Sequence, residues 1–572
     1  MMTDLLLVNA NVLTMDPARP RARSVAIDGD RVVALDPDLP ARGPAAREVI
    51  DLRGRTLLPG FHDAHNHMAW YGLTLAEVDL SAETASSLDE VYAAVARRAR
   101  DTADDSWIIG SRYDQNKLGA HPDRDALDRA ALGRRVWLRH VSGHMCVVSS
   151  AVLADLGMTY HAVDVPGGTV VTDAAGRPTG LLEERAQELA AGLLHPYPLA
   201  LITDAIDRAG TRYLSEGITS CTEAGIGGGW IGHTPAELAA YQAARDTGRL
   251  RVRVELMIAS DALHPLAAHP DDGLGLGLDL GIRTGFGDEW LRIGAMKVFA
   301  DGSLIGRTAA MSEDYADDPG NRGYLQADAD ELTATIIAAH RSGWQVAAHA
   351  IGDHTVDVVL DAYDQAQTRY PRPDPRHRIE HFATSSPGQV ARAARLGVIA
   401  VPQGRFATEI GDGMLAALRP ARHDWLYRQR SLLAAGMILP GSSDRPVVSG
   451  APLLGVHDMV NRRTASGAAF NPGEAVTAEE ALRAYTSGSA YASRAEHAKG
   501  VLAPGKLADL VVLSEDPTAV SPERIAGIEV LATFLGGVCR FASAGSGLAA
   551  SLPRPSGWAH RERIRPPRAG GT

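Results

Sequence analysis

Between its two ends the chain alternates short apolar runs with Ala-, Arg- and Glu-rich segments of helical period, such as 88–100, 331–341 and 478–485. That is the rhythm of βαβ units, and it restricts the fold to a parallel sheet whose crossovers are helices. With 572 residues the chain can bury a large core, and a closed α/β barrel of roughly 250 residues or more is the natural container. Eight apolar runs fall in order as candidate barrel strands: 56–61, 218–222, 252–258, 291–299, 345–349, 377–381, 398–402 and 437–440.

Both ends read as β. Residues 5–13 are strand-like, and Val25-Ala26-Ile27, the turn Asp28-Gly29-Asp30 and the run 31–35 spell a hairpin. Near the other end, 507–513 and 527–534 are strands on either side of the turn-rich Ser514-Glu515-Asp516-Pro517. The gap between the first two barrel strands is too long for a loop and must hold its own structure. Its helix at 88–100, with strand-like 107–109 and 136–138, predicts an inserted α/β cap. The resulting division is 1–55 and 498–545 for the β module, 56–68 with 201–497 for the barrel, and 69–200 for the cap. The Pro/Arg/Gly-rich segment 546–572 is expected to be a disordered tail.

Fifty-seven Lys and Arg against 69 Asp and Glu give a net charge of −12, which repels phosphate backbones and argues against nucleic acid as a partner. Three cysteines, Cys146, Cys221 and Cys539, form no paired spacing, so neither a disulfide framework nor a cysteine metal site is supported. The N-terminus has no basic region and only a short apolar stretch, and no run approaches the roughly 20 residues of a membrane span. A cytoplasmic protein with no membrane partner is expected, and a homodimer is compatible with the sequence.

The chemistry concentrates at strand ends. In an extended chain residues i and i+2 face one side, so His65 and His67 can converge on one ion. Taken alone, that pair is also what a polar strand end would show. Lys297, His349, His381 and Asp444, however, each fall at or just after a later candidate strand. An α/β barrel gathers the C-terminal ends of its strands at one mouth, so all six side chains are expected there. Imidazole and carboxylate donors suit zinc and related divalent ions.

The segments Leu58-Pro59-Gly60-Phe61-His62-Asp63-Ala64-His65-Asn66-His67, 296–304, 349–353, 378–381, Gly441-Ser442-Ser443-Asp444-Arg445-Pro446 and 500–509 together resemble the amidohydrolase superfamily. The resemblance is closer to its YtcJ-like branch, the amidohydrolase family 3 group that includes N-substituted formamide deformylases, and it spans nearly the whole chain. It implies a TIM-type (β/α)8 barrel beside a small β-sandwich built from both chain ends. It further implies that His65, His67, His349 and His381 bind one or two divalent ions, zinc by expectation. Lys297 would be the bridging lysine, carboxylated in binuclear members, and Asp444 would bind metal and move protons. An ammonium of ordinary pKa, about 10.4, cannot ligate a cation, whereas a desolvated lysine can be neutral and open to CO2. The alternative for Lys297 is an ion pair with Asp301, four residues on.

The implied reaction is hydrolysis of a non-peptide C–N bond in a small molecule, an N-acyl or N-formyl amine. Hydrolysis of a cyclic amide or ester, deamination, and a non-catalytic binding role are the alternatives. For substrate contact the candidates are His144 in the cap, Trp70, Tyr113 and Glu223, the aromatics having core packing as their alternative. Asn66, between two ligands, is expected to face the barrel wall. Gly500 to Lys506 approximates a P-loop, but Leu507 replaces the hydroxyl residue that holds magnesium and begins a strand, so it reads as a turn. No G-x-S-x-G elbow occurs.

Overall fold

The computed structural model describes residues 2–36, 46–82, 84–102, 107–228 and 232–548. Seven parallel strands follow one another in space in the order Ile399–Val401, Arg378–His381, Val346–Ala350, Leu291–Phe299, Arg253–Ala259, Ile218–Ile226 and Phe61–Asn66, and curl into a nearly closed barrel. Every residue of Ile218–Ile226 and Arg253–Ala259 is buried, which is why these strands carry little alternation in the sequence: helices cover the outer face and side chains fill the inside. The crossover helix Asp353–Arg369 packs its stripe Val356, Val359, Leu360 and Tyr363 inward at helical spacing. Each of those side chains contributes roughly 1.5–3 kcal/mol over exposure, so Leu360→Asp would break the helix from the barrel. Helix Pro387–Arg395 starts cleanly because Ser386 and Gln389 form a reciprocal capping box with Pro387 in the first turn.

Two strand expectations are corrected. The run 56–61 is not one barrel strand. It divides at Gly60 into Thr56–Pro59, paired with Asn11–Leu13 and Leu510–Leu513, and Phe61–Asn66, which opens the barrel. The chain changes sheets where a Cβ at Gly60 would lie 2.3 Å from Thr219, an approach that only glycine allows. The eighth candidate, 437–440, joins no ladder. Pro440 has no N–H to donate. Gly441 N donates instead to Ala484 O at 2.9 Å, and the segment meets the first strand through scattered bonds that begin with Ala64 N to Gly441 O at 2.9 Å. The barrel therefore has seven regular strands closed by an irregular segment.

Residues 78–184 contribute a separate six-stranded sheet, ordered Gly168–Thr172, Pro178–Glu184, Met145–Val148, Val136–His140, Ile108–Tyr113 and Val78–Asp79. Two further sheets stand beside the barrel. One holds Arg31–Leu35, Val25–Asp28, Thr3–Val8 and Ala46–Asp51; the other interleaves strands from both ends of the chain around Thr56–Pro59. Leu5, Leu7 and Ile27 of the first share an apolar cluster with Leu57, Leu510 and Val512 of the second. The expected tail, 546–572, begins too early: Ser546 and Leu548 are buried, Leu548 in the apolar cluster shared by these two sheets, and 549–572 lie outside the described residues. No helix of the described residues is long and apolar enough to cross a membrane.

Candidate active site

Parallel register brings the predicted residues to one mouth. Phe299 pairs with His349, and Ala350 pairs with His381, so the two imidazoles sit on adjacent strands with ring centroids 4.5 Å apart. Barrel curvature brings His381 within 5.1 Å of His65, centroid to centroid. Asp444 projects from the irregular closing segment. One of its carboxylate oxygens, Oδ1, lies 3.1 Å from His67 Nε2 and 3.2 Å from His65 Nε2. Donor atoms of His65, His381 and Asp444 all lie within 4.8 Å of one another, the span of a single ion. His67 adjoins this triad through Asp444, and His349 through the His381 ring. Asn66, between the two histidines, accepts from the Tyr213 hydroxyl at 3.2 Å and faces the wall as expected.

Two of these positions hold unusual backbone. His381 has φ 71° and Asp444 φ 60°, left-handed conformations that cost a non-glycine residue roughly 1–3 kcal/mol. Surrounding bonds over-determine them. Asp444 N donates to His65 O at 2.7 Å, and Ser443 N donates to Asp63 Oδ1 at 3.0 Å. The segment that closes the barrel is thus pinned to the first strand at the residues flanking Asp444.

The electrostatics keep His381 neutral beside an anion and bring Lys297 closer to neutrality, while the burial of His67 is outweighed by Asp444 and Glu223, which raise its pKa. Burial pushes the Lys297 amine down to about 8, with Glu380 and Asp444 opposing and Arg378 assisting. Burial likewise takes His381 down to about 3 against the pull of Asp444. Asp444 is held well below the usual carboxylate range: burial works against its charge, but bonds to His65 and His67 outweigh it. Lys297 Nζ is buried with no hydrogen-bond partner among the described residues, and His65 Nε2 faces Asp444 Oδ1 at 3.2 Å. The ion pair between Lys297 and Asp301 is not formed. Asp301 accepts instead from Ala310 N, Ile351 N, Gly352 N and the Thr355 hydroxyl. Buried nitrogens grouped around one carboxylate fit a divalent cation. His349 directs Nε2 to Gly302 O at 3.0 Å, leaving Nδ1 as its open donor.

Residues without a predicted role hold this group in place. Glu380 accepts from His65 Nδ1 and from Arg378 Nε, the latter at 2.7 Å. Gln403 Oε1 accepts from His381 Nδ1 at 2.8 Å. Sequence adjacency to His381 marks Glu380 as near the site, but not that it serves His65, 315 residues away.

The four residues expected at the substrate are dispersed. His144 reaches the mouth from the connection between Val136–His140 and Met145–Val148 of the separate six-stranded sheet, its ring 6.1 Å from His349 and its Nδ1 bonded to Glu184 at 2.9 Å. Burial works against its charge, but the Glu184 carboxylate outweighs it and raises its pKa. Trp70 lies 5.7 Å from His67, ring to ring, and helps line a cavity of about 60 Å³ with Trp137, Arg139, Gln187 and His233. Glu223 is buried behind His67, 3.6 Å from its Nδ1, and accepts from Ala69 N and the Tyr241 hydroxyl. Tyr113 is not brought to this group: it is buried in an apolar cluster of the separate six-stranded sheet, with its hydroxyl 3.1 Å from His121. A second cavity, of about 300 Å³, is lined by Lys297, Phe299, Ser260, Asp261, Gln326 and Arg185.

Residues 48–541 match the model of the amidohydrolase family. The chain is 31% identical to the putative amidohydrolase YtcJ of Bacillus subtilis, over 86% of this chain and 90% of that one. It is also 31% identical to the N-substituted formamide deformylase of Arthrobacter pascens, over 95% and 99%. Among solved structures, an uncharacterized metal-dependent hydrolase from Pyrococcus horikoshii superposes with a TM-score of 0.70 at 26% identity, covering 91% of this chain and 99% of that chain. With this match across most of its length, the chain belongs to the amidohydrolase family and is a metal-dependent hydrolase acting on carbon–nitrogen bonds.

Proposed function

We propose that this enzyme hydrolyses the amide bond of N-acyl or N-formyl amines. The observation that carries the reading is Asp444: one buried carboxylate oxygen within 3.2 Å of two histidine nitrogens, beside an unpartnered lysine amine. His65, His67, His349, His381, Asp444 and Lys297 would hold the metal, zinc in this reading, with Lys297 carboxylated when two ions are bound. A bound divalent cation acidifies water and polarises a carbonyl oxygen.

The side chains supply the rest. Asp444 is ionised at neutral pH, the form that accepts a proton from the attacking water. Having taken it, the same carboxyl returns the proton to the departing nitrogen, which an amide needs because an amide anion leaves poorly. His144 and Trp70 bring the cap to the mouth, and burial there excludes bulk water. The formamide deformylase relative supports this substrate class. In the same reading, 1–55 and 498–545 make one sandwich, 69–200 is the cap that selects a small-molecule substrate, and the enzyme works in the cytoplasm, a homodimer being compatible with it.

The test is release of free amine from a panel of N-formyl, N-acetyl and long-chain N-acyl amines by metal-replete protein, with Asp444→Asn as control. Turnover on one class that is lost in the variant is the expected result. Turnover only on cyclic amides, esters or aminated rings would overturn the substrate assignment, and metal binding without turnover on any of these would overturn catalysis.

A further inference from the structure

The barrel end opposite the catalytic mouth carries an unusual charge arrangement. A cleft of about 390 Å³ is lined there by Arg283, Arg372 and Arg494, with Thr284, Gly343 and Asp374 among its other walls. Its floor includes Gln345, just before the strand Val346–Ala350. In a chain of net charge −12, three guanidiniums facing one cleft need counter-charge.

Little is present. Arg372 donates Nη1 to His340 O and Trp344 O, both at 2.8 Å, and Nη2 to Gly343 O at 3.0 Å, all neutral carbonyls. Of the five N–H donors of a guanidinium, two therefore remain uncommitted. Arg283 makes no ion pair among the described residues. Its guanidinium lies against Gly343, where a Cβ would fall 2.2 Å from Nη1 and φ is +88°, so glycine is required for that placement. Asp374 is the one carboxylate lining the cleft, and it is shared: Arg494 Nη1 lies 3.7 Å from it and Arg376 Nε 2.8 Å, while Arg376 also pairs with Glu496 at 2.8 Å. The pKa of Arg372 is lowered by burial and then by repulsion from Arg494 and Arg283, which places the three within electrostatic reach of one another.

We infer that this cleft is a second ligand site, distinct from the catalytic mouth, for a compact dianion of the phosphate-monoester class. Three guanidiniums against one shared carboxylate leave an excess close to two positive charges, and guanidinium forks match phosphate oxygens bidentately. The cleft is open to solvent, so a charged head group could enter it, and it stands at the N-terminal ends of strands whose other ends carry His349 and His381.

The test is calorimetric titration of the metal-loaded full chain with inorganic phosphate, above neutral pH and at constant ionic strength, with succinate as the dicarboxylate comparison. The wild type should bind phosphate saturably at one site, more tightly than succinate. Arg283→Glu and Arg494→Met, each checked for native circular dichroism, should weaken it at least about tenfold, the scale of one charge-assisted pair. Arg283→Glu should keep turnover on the amide panel. Phosphate affinity unchanged in both variants would place the anion at the metal centre and overturn the inference. So would absence of saturable binding, or tighter binding of succinate.

Discussion

Replacing Glu380 with Gln tests how the site prepares its first histidine. Glu380 is fully buried and takes the proton side of His65: its carboxylate accepts from Nδ1, so the imidazole carries hydrogen there and leaves Nε2 bare. The same carboxylate accepts from Arg378 at 2.7 and 3.0 Å. Glutamine keeps the volume and one acceptor, which Arg378 Nε would retain. Its amide nitrogen would then confront His65 Nδ1 with a donor, and the favoured tautomer would move the hydrogen to Nε2, the atom facing Asp444. A protonated Nε2 cannot ligate. Loss of such a supporting carboxylate costs about 10–100-fold in metal affinity, or about 1.4–2.8 kcal/mol. Metal content by mass spectrometry and affinity by chelator competition would read it, with Glu380→Gln, His65→Ala and the double variant compared. Because Glu380 acts through His65, the double variant should bind no more weakly than His65→Ala. Wild-type affinity in Glu380→Gln, or additive losses in the pair, would refute the tautomer argument.

Four further outcomes are expected. Asp444→Asn should lower kcat by about 10²–10⁴-fold, the usual share of acid–base catalysis, and equal kcat would remove its proton role. Lys297→Met should lower the metal-to-protein ratio, and an unchanged ratio would show that Lys297 does not bridge. In metal-free protein the buried His381, with its pKa near 3 against 6.5 when unfolded, binds fewer protons folded than unfolded across that window. Stability therefore falls as pH drops from about 6.5 toward 3, with this residue contributing up to roughly 1.4 kcal/mol per pH unit; urea unfolding at several pH values should show a shallower slope in His381→Gln. Gly143→Ala should raise KM, because φ there is +74° and the new methyl would lie 2.6 Å from the Trp70 ring, displacing the aromatic beside His67.

Much of the barrel was legible because its strands are buried on both sides and so read as continuous apolar runs; 291–299 matches the observed Leu291–Phe299 residue for residue. The same signal misled where burial has another cause. Met437, Leu439 and Pro440 of that run are buried while Ile438 is exposed, and the π-helical segment Ala484–Gly488 packs on it closely enough that a Cβ at Gly488 would reach 2.1 Å from Leu439 O. The run 56–61 conceals a change of sheet that only the approach of Thr219 to Gly60 reveals. The metal-facing residues stood out by type and by their place at strand ends. Their supports did not, since Glu380, Gln403 and Asp301 act through bonds to residues distant in sequence, and a carboxylate beside a histidine reads the same whether it ligates or orients. Tyr113 shows the converse: an aromatic has the same sequence signature whether it lines a pocket or fills the core.

The central position of Thr56–Pro59, between Asn11–Leu13 and Leu510–Leu513, has a consequence for synthesis. Gly60 N bonds Asp509 O, so the strand that opens the barrel is secured by a partner about 450 residues downstream. At roughly 5–20 residues per second, the nascent chain waits on the order of 20–90 seconds between making the first barrel strand and making the strand that locks it. During that interval Leu57 and Leu58, fully buried in the finished protein, lack their antiparallel cover. Shortening the chain from its C-terminal side past residue 513 would make that waiting state permanent, and the expected product is an aggregation-prone barrel rather than a smaller enzyme.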